Sequence, residues 1–434
     1  MRDRDTIYAL SSAAGRAGIA VLRASGPQAG AALEALSGEA LPPPRMASLR
    51  TFHDASGEID RGLALWFPGP ASFTGEDCAE FHVHGGRAVV DAMLAALAAQ
   101  PGLRPAEPGE FTRRAVENGK MDLTAAEALA DLIDAETQGQ RRQALRQYEG
   151  ALFALYEDWR ARLIRASAWA EASIDFSDEE LPDGVLAETN TVLNKIADEI
   201  QNHLSDSSSG ELVREGVHST VIGLPNAGKS SLINALAKRD VAIVSETPGT
   251  TRDVIEVRLD LGGYLVTIAD TAGLRASPDA IEQEGVRRAL ARAEEADLVL
   301  LLLDGSDPHT DLAELPRADL VVWNKADLPW PHPREGSRLS LKTGEGLSAL
   351  LETLTAKVKA LVERQTDSPP LTRARHRHAL EEALAALRRA VQAGESELMA
   401  EDIRLALRAL GRITGRVDIE DVLDVVFRDF CIGK

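Results

Sequence analysis

The chain has 434 residues, a formal net charge of -20 and two cysteines, Cys78 and Cys431. A length of this kind predicts two to four domains at ~150 residues each, and the acidity argues against non-specific nucleic-acid binding. Two distant cysteines exclude a disulfide scaffold, and apolar runs such as Leu298–Leu303 fall far short of the ~20 residues that span a bilayer. No basic-then-apolar leader opens the sequence, so a reducing cytoplasm is the expected location.

In chain order, the first ~118 residues mix short strands with a helix (Val89–Ala99) and Gly/Pro-rich loops, an α+β pattern. Ile19–Arg23 and Cys78–Val83 are the clearest strands. Glu80, His82 and His84 alternate with Phe81 and Val83, so they share one strand face. The H-x-H pair invites a metal but lacks a third ligand, and a structural or ligand-lining role is the better reading. Residues 121–204 and 371–427 are rich in Ala, Leu, Glu and Arg at helical spacing. Polar stretches resembling linkers, Ser205–Gly210 and Gln365–Pro370, separate them from a middle segment. There, strand-like runs (Val217–Ile222, Val254–Leu259, Tyr264–Ile268, Asp297–Leu303, Asp319–Trp323, Arg338–Ser340) alternate with helical patterns. That alternation predicts a mostly parallel sheet inserted into one helical domain, whose two halves pack together and bring the ends of the insertion close.

The middle segment carries the densest chemistry. Gly223–Ser230 reads G-L-P-N-A-G-K-S, a phosphate-binding loop between a strand and a helix. Lys229 would bridge the β- and γ-phosphates, and Ser230 would ligate Mg²⁺. Ser245–Asp253 (S-E-T-P-G-T-T-R-D) offers Thr251 as the second Mg²⁺ ligand, with Thr250 beside it. Asp270-Thr271-Ala272-Gly273 follows a strand, as a metal-water and γ-phosphate element should. Asn324-Lys325-Ala326-Asp327 presents a carboxylate able to accept from guanine N1–H and its 2-amino group. Ser340-Leu341-Lys342 offers backbone N–H groups to guanine O6. The nucleotide-contacting set is thus Asn226, Ala227, Gly228, Lys229, Ser230, Ser231, Ser245, Thr250, Thr251, Asp270 to Gly273, Asn324, Lys325, Asp327, Ser340 and Lys342. In register, these elements imply a GTP hydrolase.

Leu274 stands where many such enzymes place a water-orienting Gln. Glu282 is the candidate replacement, with Glu284 as runner-up and a solvated helix residue as the bland reading. Arg252 and Arg275 flank the switches, but no arginine finger is evident. Asn226 could hold a monovalent cation near the β/γ-phosphates and supply the missing positive charge.

Further motifs lie outside this segment: D-T-I-Y-A at Asp5–Ala9, F-T-G-E-D at Phe73–Asp77, H-G-G at His84–Gly86 and P-G-E-F-T-R-R-A at Pro108–Ala115. N-G-K-M-D-L-T-A-A-E-A occupies Asn118–Ala128, and F-C-I-G-K occupies Phe430–Lys434. With the Asn-bearing phosphate loop, they make the chain resemble, from end to end, the tRNA wobble-uridine modification GTPases (the MnmE, or TrmE, family). The resemblance implies a multidomain fold. A folate-binding, dimerising α+β domain (1–118) would precede an all-α helical-bundle domain in two pieces (119–210 and 367–434). A Ras-like α/β P-loop GTPase domain (211–366) would be inserted between them. It also implies K⁺-dependent pairing of GTPase domains, with Asn226, Ser245, Thr247 and Thr250 around the ion and Glu282 orienting water.

Arg23, Glu80, Lys120 and Lys434 match the folate positions. The homodimer would work with an FAD-dependent, NADH-using partner (MnmG, or GidA, type) in a heterotetramer or larger complex on tRNA. Its product would be an aminomethyl or carboxymethylaminomethyl group at C5 of uridine-34, its one-carbon unit drawn from methylenetetrahydrofolate. Cys431 would then be a nucleophile or intermediate stabiliser, or else a bystander in a tail docked by Phe430 and Ile432. The C-I-G-K end fits a prenylation box poorly. Leu341 departs from the family's Ala, at a contact made by backbone. The basic run Arg373–His378 reads as a helix start or as a tRNA or partner surface. The alternatives are an RNA- or ribosome-associated GTPase switch without its own modification chemistry, and a one-carbon enzyme with a regulatory nucleotide site.

Overall fold

The computed structural model describes residues 5–175, 185–205, 208–224, 226–243, 256–270, 293–308, 318–331, 335–363 and 369–417, and beyond these only 423, 426, 427, 430 and 433. The N-terminal segment builds β1 (Thr6–Leu10), β2 (Ala17–Ser25), β3 (Ser48–Asp54), β4 (Gly57–Phe67), β5 (Cys78–Gly85) and β6 (Leu103–Pro105), with α1 (Ala29–Ser37) and α2 (Arg87–Ala98). Their sheet runs β3-β4-β5-β2-β1-β6, antiparallel except for β1 with β6. Alternation decides its faces. Leu22, Ala64, Phe81 and Val83 point to a core shared with Leu33, Leu36, Met93 and Leu97 of the two helices. Phe52 and Phe81 meet edge-on at 5.5 Å. The intervening residues of β2, β4 and β5 face outward, which places Arg23, Glu80 and His82 away from that core.

Next come α3 (Glu110–Glu117), α4 (Leu123–Asp134), α5 (Gln138–Tyr148), α6 (Ala151–Asp175), α7 (Val185–Ser205) and α8 (Ser208–Glu215). The expected linker at Ser205–Gly210 is therefore shorter than its composition suggests. Ser208, Ser209 and Gly210 already belong to α8, because serines suit a helix start and the Gly210 carbonyl is held by Gln143 Nε2 at 2.9 Å.

The second sheet contains β7 (Val217–Ile222), β8 (Glu256–Leu261), β9 (Tyr264–Asp270), β10 (Leu298–Asp304), β11 (Leu320–Asn324) and β12 (Ser337–Arg338), in the order β12-β11-β10-β7-β9-β8. All neighbours are parallel except β8 with β9, as the alternating pattern predicts. Every residue from Leu298 to Leu303 is buried, which explains the unbroken apolar run: a central parallel strand has no solvent face. The helices α9 (Lys229–Ala237) and α10 (Leu347–Val362) contribute Leu232, Ile233, Leu350 and Leu354 to this core. Two more helices follow, α11 (Ala374–Gln392) and α12 (Ser396–Thr414).

The described residues group into two units, one within 1–130, 153–182 and 393–434, the other within 131–152 and 183–392. Each contains a helix from before the insertion packed on one from after it. In the first, Glu171 on α6 pairs with Arg404 on α12 at 3.5 Å, and Glu157 with Arg416 at 2.9 Å. In the second, Arg388 on α11 donates to Gln201 on α7 at 2.9 Å. The expected closeness of the insertion's ends is also met. Asp131 accepts from Arg214 Nε (3.1 Å) just before β7 and from Arg373 Nη2 (2.6 Å) just before α11. No helix among the described residues is long and apolar enough to cross a membrane.

The α7–α11 contact buries two imidazoles, His203 and His376, at 4% and 1% exposure. Burial, reinforced by His376, pulls His203 down from 6.5 to about 4. Between these values the unfolded chain binds a proton that the folded chain refuses, so stability falls as pH drops from 6.5 toward 4 and is fully present above 6.5. The loss amounts to about 3 kcal/mol. Denaturant titrations of the full chain at pH 7.5 and pH 4.5 should show it, and His203→Phe should shrink the difference. An unchanged pH response in that variant would exclude His203 as the source.

Candidate functional site

Among the described residues, the phosphate loop, Asn324–Asp327 and Ser340–Lys342 lie at the carboxyl ends of strands in the parallel sheet, where ligands bind in open α/β sheets. Directly after β7, Gly223 adopts φ +152°, and a Cβ there would run into the Leu302 carbonyl of β10. Asn226 and Gly228 take left-handed conformations, φ +62° and +104°. The loop thus curls tightly and delivers its backbone to the N-terminus of α9, a position suited to anions. Lys229 at the head of that helix donates to the carbonyls of Gly223 (2.9 Å) and Leu224 (3.0 Å). Ser230 lies one residue further along and is half-buried, while Ser231 is exposed. Ala227 is buried.

Asn324 ends β11 and joins the two halves of the site. Its Nδ2 donates to Ala227 O at 2.8 Å, and its Oδ1 accepts from Leu341 N at 3.2 Å. That is the tie between base loop and phosphate loop expected from N-K-x-D. Asp327 accepts from Ser340 Oγ at 2.7 Å, and this bond, more than any other effect, holds its carboxyl below the usual range. Ser340 N donates to Glu345 O, so Lys342 has the N–H of Ser340-Leu341-Lys342 that makes no hydrogen bond among the described residues. Asp270 closes β9 beside Val221 of β7, next to the phosphate loop, and its side chain lies outside the description. So do Ser245, Thr247, Thr250, Thr251, Thr271, Ala272, Gly273 and Glu282.

Sequence reasoning missed the support of the base loop. Lys325, at φ +64°, pairs with Asp304 at the end of β10. Burial opposes the Asp304 charge, yet hydrogen bonds from Lys325 and Ser306 outweigh it and keep the carboxyl below its ordinary value. Trp330 donates from Nε1 to Lys325 O at 3.2 Å while Arg338 lies 4.3 Å over its ring. No motif spacing announces these contacts, because they join residues on separate strands and loops.

In the N-terminal sheet, Arg23 and Glu80 are register partners on β2 and β5. Arg23 donates to Glu80 Oε1 from Nε (3.0 Å) and Nη2 (2.8 Å), and His82 Nε2 bonds Glu80 Oε2 at 3.1 Å. Burial raises the Glu80 carboxyl, but His82 and Arg23 together hold it below its usual value, so it is an ionised acceptor. Phe73 and Phe111 flank the guanidinium at 5.3 and 5.8 Å. His84 instead pairs with Asp60 at 2.9 Å, and no metal-holding group of His, Cys, Asp and Glu exists among the described residues. Lys120 donates to Pro70 O at 2.9 Å. Its stem packs at Gly75 of the F-T-G-E-D loop, the same loop whose Phe73 touches Arg23.

Behind this loop, buried Arg114 donates to Glu76 (3.0 Å), Glu110 (2.9 Å) and Asp5 O (2.9 Å). The motifs F-T-G-E-D and P-G-E-F-T-R-R-A are therefore one charged network that holds the loop in place. At the chain end, Phe427 and Phe430 pack edge-on at 4.9 Å against Gly109, and Gly433 lies against the Leu10 backbone. Cys431 and Lys434 lie outside the described residues.

Comparison with known proteins agrees with this anatomy. Residues 6–120 match the family model described as the GTP-binding protein TrmE N-terminus, and residues 123–431 match that of the MnmE helical domain. The chain is 59% identical to the tRNA modification GTPase MnmE of Parvibaculum lavamentivorans, over 99% of this chain and 100% of that one. It is 55% identical to the same protein of Paramagnetospirillum magneticum, with the same coverage. It is also 48% identical to the mitochondrial 5-taurinomethyluridine-[tRNA] synthase subunit GTPB3 of Danio rerio, over 99% of this chain and 93% of that one. With its N-terminal TrmE domain, its helical domain and its P-loop GTPase domain, the chain belongs to the MnmE family of tRNA modification GTPases.

Proposed function

We propose that this GTPase acts on the wobble uridine of tRNA, attaching an aminomethyl or carboxymethylaminomethyl group at C5 with a one-carbon unit from a tetrahydrofolate. The observation that carries the folate reading is the Arg23–Glu80–His82 cluster between Phe73 and Phe111. An ionised carboxylate suits the N–H donors of a pterin, and aromatic rings suit its faces. Lys120 and Lys434 would serve the acidic tail of the folate. Cys431 would stand near the transferred carbon. In the GTPase domain, Asp327 would read guanine, Lys229 would neutralise the phosphates, and Ser230 and Thr251 would hold Mg²⁺. Asn226, Ser245, Thr247 and Thr250 would hold K⁺, which would supply the positive charge that an arginine finger otherwise brings. Glu282 would orient the attacking water.

The reading further includes the division into 1–118, 119–210, 211–366 and 367–434, a cytoplasmic homodimer, and an FAD-dependent partner of the MnmG type. Mass spectrometry of tRNA nucleosides from a deletion strain tests it. Unmodified wobble uridine, restored by this gene, is expected. Intact wobble modification alongside defective ribosomes would favour a ribosome-associated switch instead. Exchanging K⁺ for Na⁺ should cut GTP turnover by about tenfold or more, a barrier increase of ~1.4 kcal/mol, because the smaller ion fits the loop oxygens poorly. Equal steady-state rates in both salts would remove Asn226 from the cation site.

A further inference from the structure

We infer that the β8–β9 turn is an intramolecular output of the nucleotide site, acting as a removable cap on helix α5. A helix leaves its first backbone N–H groups without intrahelical partners. In α5 a capping box deals with part of this: Thr137 Oγ1 accepts from Gln140 N at 3.4 Å, and Gln140 Oε1 accepts from Thr137 N at 3.0 Å. The Gly139 N–H is left over, and it donates to Gly263 O at 2.7 Å, in the turn between β8 and β9. A Cβ at position 139 would stand 2.6 Å from that carbonyl and 3.0 Å from the Tyr264 ring, so only glycine allows this approach. Glu136, just ahead of the cap, pairs with Arg258 on β8 at 2.7 Å. On its other side the turn meets α10 and the residue after it, where Tyr264 OH donates to Glu363 at 3.1 Å.

The opposite end of the same hairpin belongs to the nucleotide. β8 begins three residues after the S-E-T-P-G-T-T-R-D segment, and β9 ends on Asp270 of D-T-A-G. Six register pairs, Glu256↔Ala269 through Leu261↔Tyr264, bind the two strands into one piece. A shift imposed at the phosphate end would be carried to the turn, where the Gly139–Gly263 bond, the Glu136–Arg258 pair and the Arg142–Tyr264 hydrogen bond are the contacts at stake. Hydrogen bonds weaken steeply with displacement, so a small movement of the turn would release the cap and give the nucleotide a second state to bias. Beyond the cap, α5 grips both crossings of the insertion, since Gln143 holds Gly210 O and Gln147 donates to Pro370 O. The proposal rests on the reading of those two flanking segments as nucleotide switches, given above.

The test is amide hydrogen exchange on the full chain in K⁺ buffer, comparing GDP with GDP plus aluminium fluoride. Peptides covering residues 137–142 should exchange at least fivefold differently in the two states. In Gly139→Ala and, as a variant that leaves the helix backbone untouched, Glu136→Gln, the difference should shrink to less than twofold. GTP turnover should stay within about twofold in both variants, while wobble-uridine modification in a complemented strain falls about tenfold. Identical exchange in the two states of the wild-type protein would overturn the inference. So would variants that retain both the exchange difference and full modification. Because the exchange readout needs only nucleotide, a failure of the modification chemistry leaves it interpretable.

Discussion

With Asp327 in its proposed role as the guanine acceptor, replacing it by Asn is expected to weaken GTP binding by on the order of 10²- to 10⁴-fold, through the loss of two charge-assisted hydrogen bonds to the base. The structure supplies the reason. Ser340 Oγ donates to Asp327 Oδ1 and holds the carboxylate ionised at the mouth of the base loop. An amide in its place would turn an N–H donor toward guanine's own N–H donors. It would instead suit xanthine, which has a carbonyl where guanine has its 2-amino group. Equilibrium titrations with GTP and XTP should show the preference inverted in Asp327→Asn. Undiminished GTP affinity would mean that the base is read elsewhere.

A comparably large effect is expected on turnover. With Leu274 unable to orient water, Glu282→Ala should reduce GTP hydrolysis by on the order of 10²- to 10³-fold, within the range for removing a positioned proton acceptor. GTP affinity should stay within about twofold, because the proposed role is exercised only as the reaction proceeds. Single-turnover kinetics beside a binding titration separate the two quantities. Weakened binding with normal turnover would show that Glu282 supports the nucleotide rather than the chemistry.

The described loops of the nucleotide half were legible in the residues because their motifs encode backbone requirements. Gly223 is demanded by the Leu302 carbonyl beside it, and Asn324 is demanded by the reach from β11 to Ala227 and Leu341. The support of Lys325 by Asp304 and of the base loop by Trp330 was not legible, since neither follows from spacing. The N-terminal cluster was legible only through resemblance. No spacing singles out Arg23 or Lys120, and only the pairing of β2 with β5 sets Arg23 against Glu80. The linker at Ser205–Gly210 misled for a related reason: serine and glycine composition signals a break in regular structure, and here it signals the start of α8.

The sequence by itself determined the mostly parallel inserted sheet and the guanine-nucleotide motifs, which are written in short-range patterns of apolar periodicity, turn residues and loop glycines; the family came from the resemblance of its motifs from end to end. Only the tertiary structure decided which distant groups meet. It joined Arg114 to Glu76 and Glu110, buried His203 beside His376, and set the Gly263 carbonyl on the open end of α5. Strand register and helix packing make those choices, and both bring together segments that lie far apart in the sequence.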